Sequence, residues 1–172
     1  MPGPLRRALS NPAVAFVARF ALLLGVEGVL YPIATRRWFF VVEALTAATA
    51  RVQYELLRLL GAETSLDGNL VQFGDFGVRI IEECTGIFEA IIFLAAVLAF
   101  PASPAKKAIG IALGAPLLYL FNLLRILVLL VVGRHHPELF EFMHLYFWQA
   151  TLILMITSVW LLWIFRVVRR EG

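Results

Sequence analysis

Residues 79–101 read RIIEECTGIFEAIIFLAAVLAFP. From Gly86 to Phe100 there is one charged side chain, Glu89, in an otherwise apolar run. Those residues make about 22 Å of helix at ~1.5 Å per residue, against roughly 30 Å of membrane hydrocarbon. Either the helix reaches back to Cys84, or Cys84 sits in a local depression of the membrane; in both cases the thiol lies at or just below one membrane surface. Cys84 is the only cysteine in the chain. An intramolecular disulfide is excluded, leaving a small buried hydrophobe or a reactive thiol.

The composition around this stretch is that of a polytopic membrane protein. Hydrophobic residues make up 61% of the 172 residues and charged residues 16%, where a soluble domain is about half apolar and about a quarter charged. Four apolar segments, about 13–31, 84–100, 108–132 and 146–165, are expected to span, all within a single transmembrane domain covering 1–172. The N-terminal apolar run follows Arg6 and Arg7 without a convincing small-residue cleavage site and is read as a retained first span. With four spans, Arg6 and Arg7, Lys106 and Lys107, and Arg166, Arg169 and Arg170 all fall on one side. The positive-inside rule makes that side the cytoplasm, with both termini there and residues 32–83 and 133–145 outside. Trp38, Trp148, Trp160 and Trp163 fall near span ends and read as interfacial anchors.

Within the outer segment, residues 38–61 repeat apolar positions at steps of three and four: Val41, Leu45, Ala48, Val52, Leu56 and Leu59. Arg51, Glu55 and Arg58 take the opposite side, where they can pair as helical neighbours. This predicts an amphipathic helix on the outer surface or packed against the bundle. Leu70 and Gln72, then Phe76, Val78 and Ile80, flank Gly74-Asp75 and predict a short β-hairpin. The expected fold class is all-α integral membrane: about four spans, an outer amphipathic helix and the hairpin.

Charges inside spans are costly and point to function. Arg125 falls about 10 Å below the outer end of the third span at ~1.5 Å per residue. Asn122 lies one turn earlier on nearly the same face, and Glu89 at similar depth is the expected ionic partner. Of His135, His136 and His144, the last falls about two turns into a helix that Pro137 is expected to start. Cys84, Arg125 and His144 thus converge on one outer-leaflet site. A thiol, an imidazole and a guanidinium form a set for acyl transfer: nucleophile, proton shuttle, and oxyanion or chain stabiliser. Thr85, a plausible helix N-cap, and Arg125 favour the thiolate, whereas Glu82 and Glu83 oppose it and are expected to point outward to a basic part of a substrate. A metal-dependent hydrolase built on His135, His136, Glu141 and His144 is one alternative. A non-enzymatic membrane assembly partner with an inert Cys84 is the other. The basic residues sit at membrane flanks and form no stripe for nucleic acid.

Three of these stretches carry a resemblance. EECTGIFEAIIFLAAV resembles the cysteine motif of the exosortase/archaeosortase family, E-C-[ST]-G-[IL] leading a span. FNLLRILVL resembles its N-x-x-R-[IV] motif, and His144 ahead of the last span fits its histidine. The motifs fall in the family's order over about residues 70–166, and the short chain is most similar to the compact exosortase H subgroup. The resemblance implies a membrane-embedded cysteine protease/transpeptidase without cofactor or metal, in the bacterial cytoplasmic (inner) membrane, its site facing outside. Its implied substrates are exported proteins with a C-terminal tail of signature, transmembrane helix and basic cluster. Carried over by motif position, Cys84 is the nucleophile, Arg125 the oxyanion or substrate stabiliser and His144 the general acid/base. Glu82, Glu83, Asn122 and Glu89 are the residues expected to contact substrate.

Overall fold

A computed structural model describes residues 11–169; Arg6, Arg7 and Arg170, invoked above for orientation, lie outside the described residues. The first helix, α1, runs Pro12–Arg37. Asn11 caps it by accepting from the Ala13 amide at 3.0 Å, and Pro12 starts it where a missing N–H costs nothing. Helix α2 follows at Phe39–Leu59. Three strands come next, β1 (Thr64–Asp67), β2 (Leu70–Phe73) and β3 (Phe76–Arg79). A 3-10 turn at Glu82–Cys84 leads to α3, Ile87–Ala99. Helix α4 spans Pro104–His135, with Ser103 as its cap. Finally α5, Pro137–Phe142, continues through a π-helical turn at Met143–Phe147 into α6, Trp148–Trp163, and a second π turn at Ile164–Val168.

Among the described residues, three helices are long and apolar enough to cross a membrane: α1, α4, and the continuous Pro137–Val168 rod. The fourth expected span is apolar but has only 13 residues, about 20 Å of helix. It is short because Gly86, at φ +78°, turns the chain between the cysteine and the helix. That left-handed conformation is open to glycine at little cost. Gly86 takes the N-cap position that Thr85 was expected to fill. Thr85 instead bonds back, its Oγ1 donating to the Glu82 carbonyl at 2.7 Å.

The helices pack antiparallel in sequence. At one end Phe16 of α1 meets Phe100 and Trp160, with ring centroids 6.0 and 5.3 Å apart. At the other, Tyr31 meets Phe88 at 5.1 Å. Lys106 and the C-terminal π turn share one end, where Lys106 Nζ donates to the Val168 carbonyl at 3.0 Å. Trp163 Nε1 donates to the Lys106 carbonyl at 2.8 Å. Trp163 and Trp148 are buried, so they act in packing and not as the interfacial anchors their positions suggested.

The amphipathic helix is present, with Arg51 and Arg58 exposed and a third, small and polar side turned to the bundle. Thr46, Thr49, Ala50, Gln53 and Leu57 face inward, while Val41, Val52 and Leu59 are exposed. The reason is chemical: the polar side chains find partners on α4. Gln53 Nε2 donates to the Leu123 carbonyl at 2.8 Å, and the hydroxyls of Thr49 and Tyr119 lie 3.1 Å apart. Once α4 supplies those partners, the apolar side is free to face outward, as suits a protein bathed in lipid. Arg58 and Glu55 pair as expected at 2.8 Å.

The hairpin closes on Gly74-Asp75, with Phe73 opposite Phe76. A further strand, β1, extends it to a three-stranded antiparallel sheet in the order β1-β2-β3. Val71 of β2 and Ile80, just past β3, are buried with Ala50 and Leu57 of α2 and Ile126 and Leu130 of α4. Gly133 admits the sheet: a Cβ there would stand 2.2 Å from the Phe76 ring. A hydrogen-bonded ion pair between Arg134 and Asp75 ties the hairpin turn to α4. The sheet thus clamps the 3-10 turn that follows β3 against α2 and α4.

A second core holds the membrane bundle together: Phe93 and Val97 of α3, Leu118 of α4, and Val159 and Trp163 of α6. Gly114 makes room for it, since a Cβ at that position would meet Phe93 Cζ at 2.2 Å. Gly114→Val gains a few tenths of a kcal/mol in helix propensity but overpacks a buried ring at a cost of about 1–3 kcal/mol. The variant is expected to melt several degrees lower, as read by tryptophan fluorescence of the detergent-solubilised protein.

Candidate active site

Cys84 closes the 3-10 turn, and its position is fixed from α4. Asn122, 1% exposed, donates from Nδ2 to the Cys84 carbonyl at 2.7 Å. The approach is close because Gly86 lies on the Asn122 side chain; a Cβ at Gly86 would be 3.3 Å from Asn122 Cγ. A buried amide that pairs with the backbone this way is a structural clamp. Its Nδ2 is committed to that bond, while its Oδ1 has no hydrogen-bond partner among the described residues.

One turn further along α4, Arg125 is 7% exposed. Its Nη1 lies 3.9 Å from Glu89 Oε1, so the expected pairing exists, at the long limit of an ion pair. Buried polar atoms normally have partners. Here Arg125 Nε, Glu89 Oε2, Asn122 Oδ1 and His144 Nδ1 are buried without one.

Arg125, Glu89 and His144 line one cavity of about 350 Å³, walled also by Ile81, Glu83, Cys84, Phe88, Leu145 and Gln149. Cys84, Arg125 and His144, which the sequence placed together on grounds of depth and side, thus face a common space. His144 stands in the π turn beyond α5, its ring stacked on Phe140 with centroids 5.6 Å apart. The helix start at Pro137 that was expected to carry it is present.

The two glutamates before the cysteine part company. Glu83 is exposed and lines the cavity. Glu82 accepts a hydrogen bond from Tyr31 of α1, which fastens the turn to the first helix. In the sequence Tyr31 stands only as an aromatic at the end of the first span, and no spacing signal links it to Glu82. Gln149 was missed too; its signal is a lone amide in an apolar run.

His135 and His136 lie elsewhere. The first bonds the Val131 carbonyl through Nδ1 at 3.0 Å, and the second pairs with Glu138 at 3.3 Å. Among the described residues, no three of His, Cys, Asp and Glu come together as metal ligands would. The donor set of the metal-hydrolase alternative therefore does not assemble.

Comparison with known proteins follows the same line. The chain matches the family model of the transmembrane exosortases (Exosortase_EpsH) over residues 7–165, and it belongs to that family. No curated protein and no solved structure matches it.

The clamp is testable separately from any activity. Asn122→Leu keeps the volume but leaves the Cys84 carbonyl without its donor, at a cost of about 1–3 kcal/mol. It is expected to lower the melting temperature and to raise the rate at which a small maleimide labels Cys84. Both are measured on the purified protein.

Proposed function

We propose that this transmembrane exosortase is a cysteine transpeptidase or protease that cuts the C-terminal sorting tail of exported proteins at the outer face of the bacterial cytoplasmic membrane. The observation that carries the proposal is the convergence of Cys84, Arg125 and His144 on one cavity. Depth supports it as well, because a substrate anchored by its own transmembrane helix presents the peptide next to that helix at this level.

In the first half-reaction the Cys84 thiolate attacks the scissile carbonyl carbon and a C–S bond forms. Arg125 has only a distant protein partner, so its guanidinium donors are available to the developing oxyanion. As the C–N bond breaks, His144 delivers a proton to the departing amine, and the tail leaves with its membrane helix. In the second half-reaction, water or an acceptor amine attacks the thioester. Its proton passes to His144, the C–S bond breaks and the thiolate beside a protonated His144 is restored. Glu89 holds part of the charge of Arg125, and Glu83 at the rim meets basic groups on the substrate.

The test is cleavage of a reporter protein carrying such a tail, in membranes that contain this chain. Cys84→Ala is expected to abolish cleavage at unchanged protein level. His144→Ala should lower the rate by about 10²–10⁴-fold, the usual contribution of a general acid–base group. Arg125→Ala should cost about 10²–10³-fold, as for the loss of one oxyanion donor. Cleavage that persists in Cys84→Ala would exclude the thioacyl route.

A further inference from the structure

Away from the site, a groove of about 370 Å³ runs along the outside of the bundle between α4 and α6. Gly110 and Gly114 lie in its floor with Val159 and Trp163, and Leu113, Leu117 and Leu162 stand exposed along its walls. Its only charged lining residue is Arg166, at the end where Lys106 and the C-terminal π turn meet. Arg166 is exposed and makes no hydrogen bond or ion pair among the described residues.

We propose that this groove binds one anionic glycerophospholipid from the leaflet at the Arg166 end. The acyl chain lies along the glycine floor and the phosphodiester meets Arg166. Charge complementarity selects this occupant. An apolar slot with one cation at its mouth matches a hydrocarbon chain ending in an anion, and each basic residue at an anionic surface adds measurably to affinity. The tail helix of a substrate is disfavoured, because its basic cluster would be brought to Arg166. A second copy of the chain is also disfavoured. Close helix–helix packing uses open small-residue faces, and here Trp163 and Phe93 already fill the Cβ positions of Gly110 and Gly114, at 2.5 and 2.2 Å.

The experiment is native mass spectrometry of the full chain in detergent, titrated with phosphatidylglycerol or phosphatidylcholine of identical acyl chains. One phosphatidylglycerol is expected to bind about fivefold more tightly than phosphatidylcholine, the worth of a single basic contact. Arg166→Gln should erase that preference, and Leu117→Trp, which fills the groove, should weaken both lipids. An unchanged labelling rate at Cys84 checks that the variants are folded. Equal affinity of the unmodified chain for the two lipids would overturn the proposal, as would a preference that survives Arg166→Gln.

Discussion

Gly86 turns the chain at positive φ and leaves the Cys84 carbonyl outside the ladder of α3; the amide of Asn122 supplies the donor it then needs. Much depends on that bond. It joins the cysteine turn to the helix that carries Arg125, so thiol and guanidinium are set by one piece of backbone and one turn of helix. The sheet presses the turn from one side, through Ile80 and Val71. Tyr31 holds it from another, through Glu82. Three elements from separate parts of the chain thereby fix three residues of sequence. Such over-determination is what a site needs when small displacements cost large factors in rate.

The site pairs this rigid backbone with incompletely satisfied side chains. A buried arginine whose carboxylate lies at the long limit of an ion pair is costly to the fold. So are the unpartnered polar atoms of Glu89 and His144. A core selected for stability alone would replace them with apolar groups of equal volume. Their retention is the pattern expected where binding or chemistry supplies the missing partners, and the family assignment points the same way.

Much of this was legible in the sequence because charge in an apolar run is a strong signal. Arg125, Glu89 and Cys84 stood out by what surrounds them, and depth along each helix followed from residue counts. Direction was less legible. The side that α2 turns inward depends on hydrogen-bond partners on α4, chiefly Tyr119 and the Leu123 carbonyl, which no periodicity in residues 38–61 reveals. Strand β1 was missed because Thr64–Asp67 contains one large apolar residue, Leu66, and gains its place by pairing with β2. The limit of α3 was hidden in Gly86, whose conformation is set by contact with Asn122.

The shortness of α3 has a further consequence. Helix α4, at 32 residues, is about 48 Å long and exceeds the hydrocarbon, while α3 falls about 10 Å short of it. The two are packed together, so no single bilayer thickness suits both. Hydrophobic mismatch of this kind is relieved by thinning the lipid beside the shorter helix, at a modest cost for each ångström. The cavity lies at the Cys84 end of α3, so a bilayer that thins at that end brings its headgroups nearer to the cysteine.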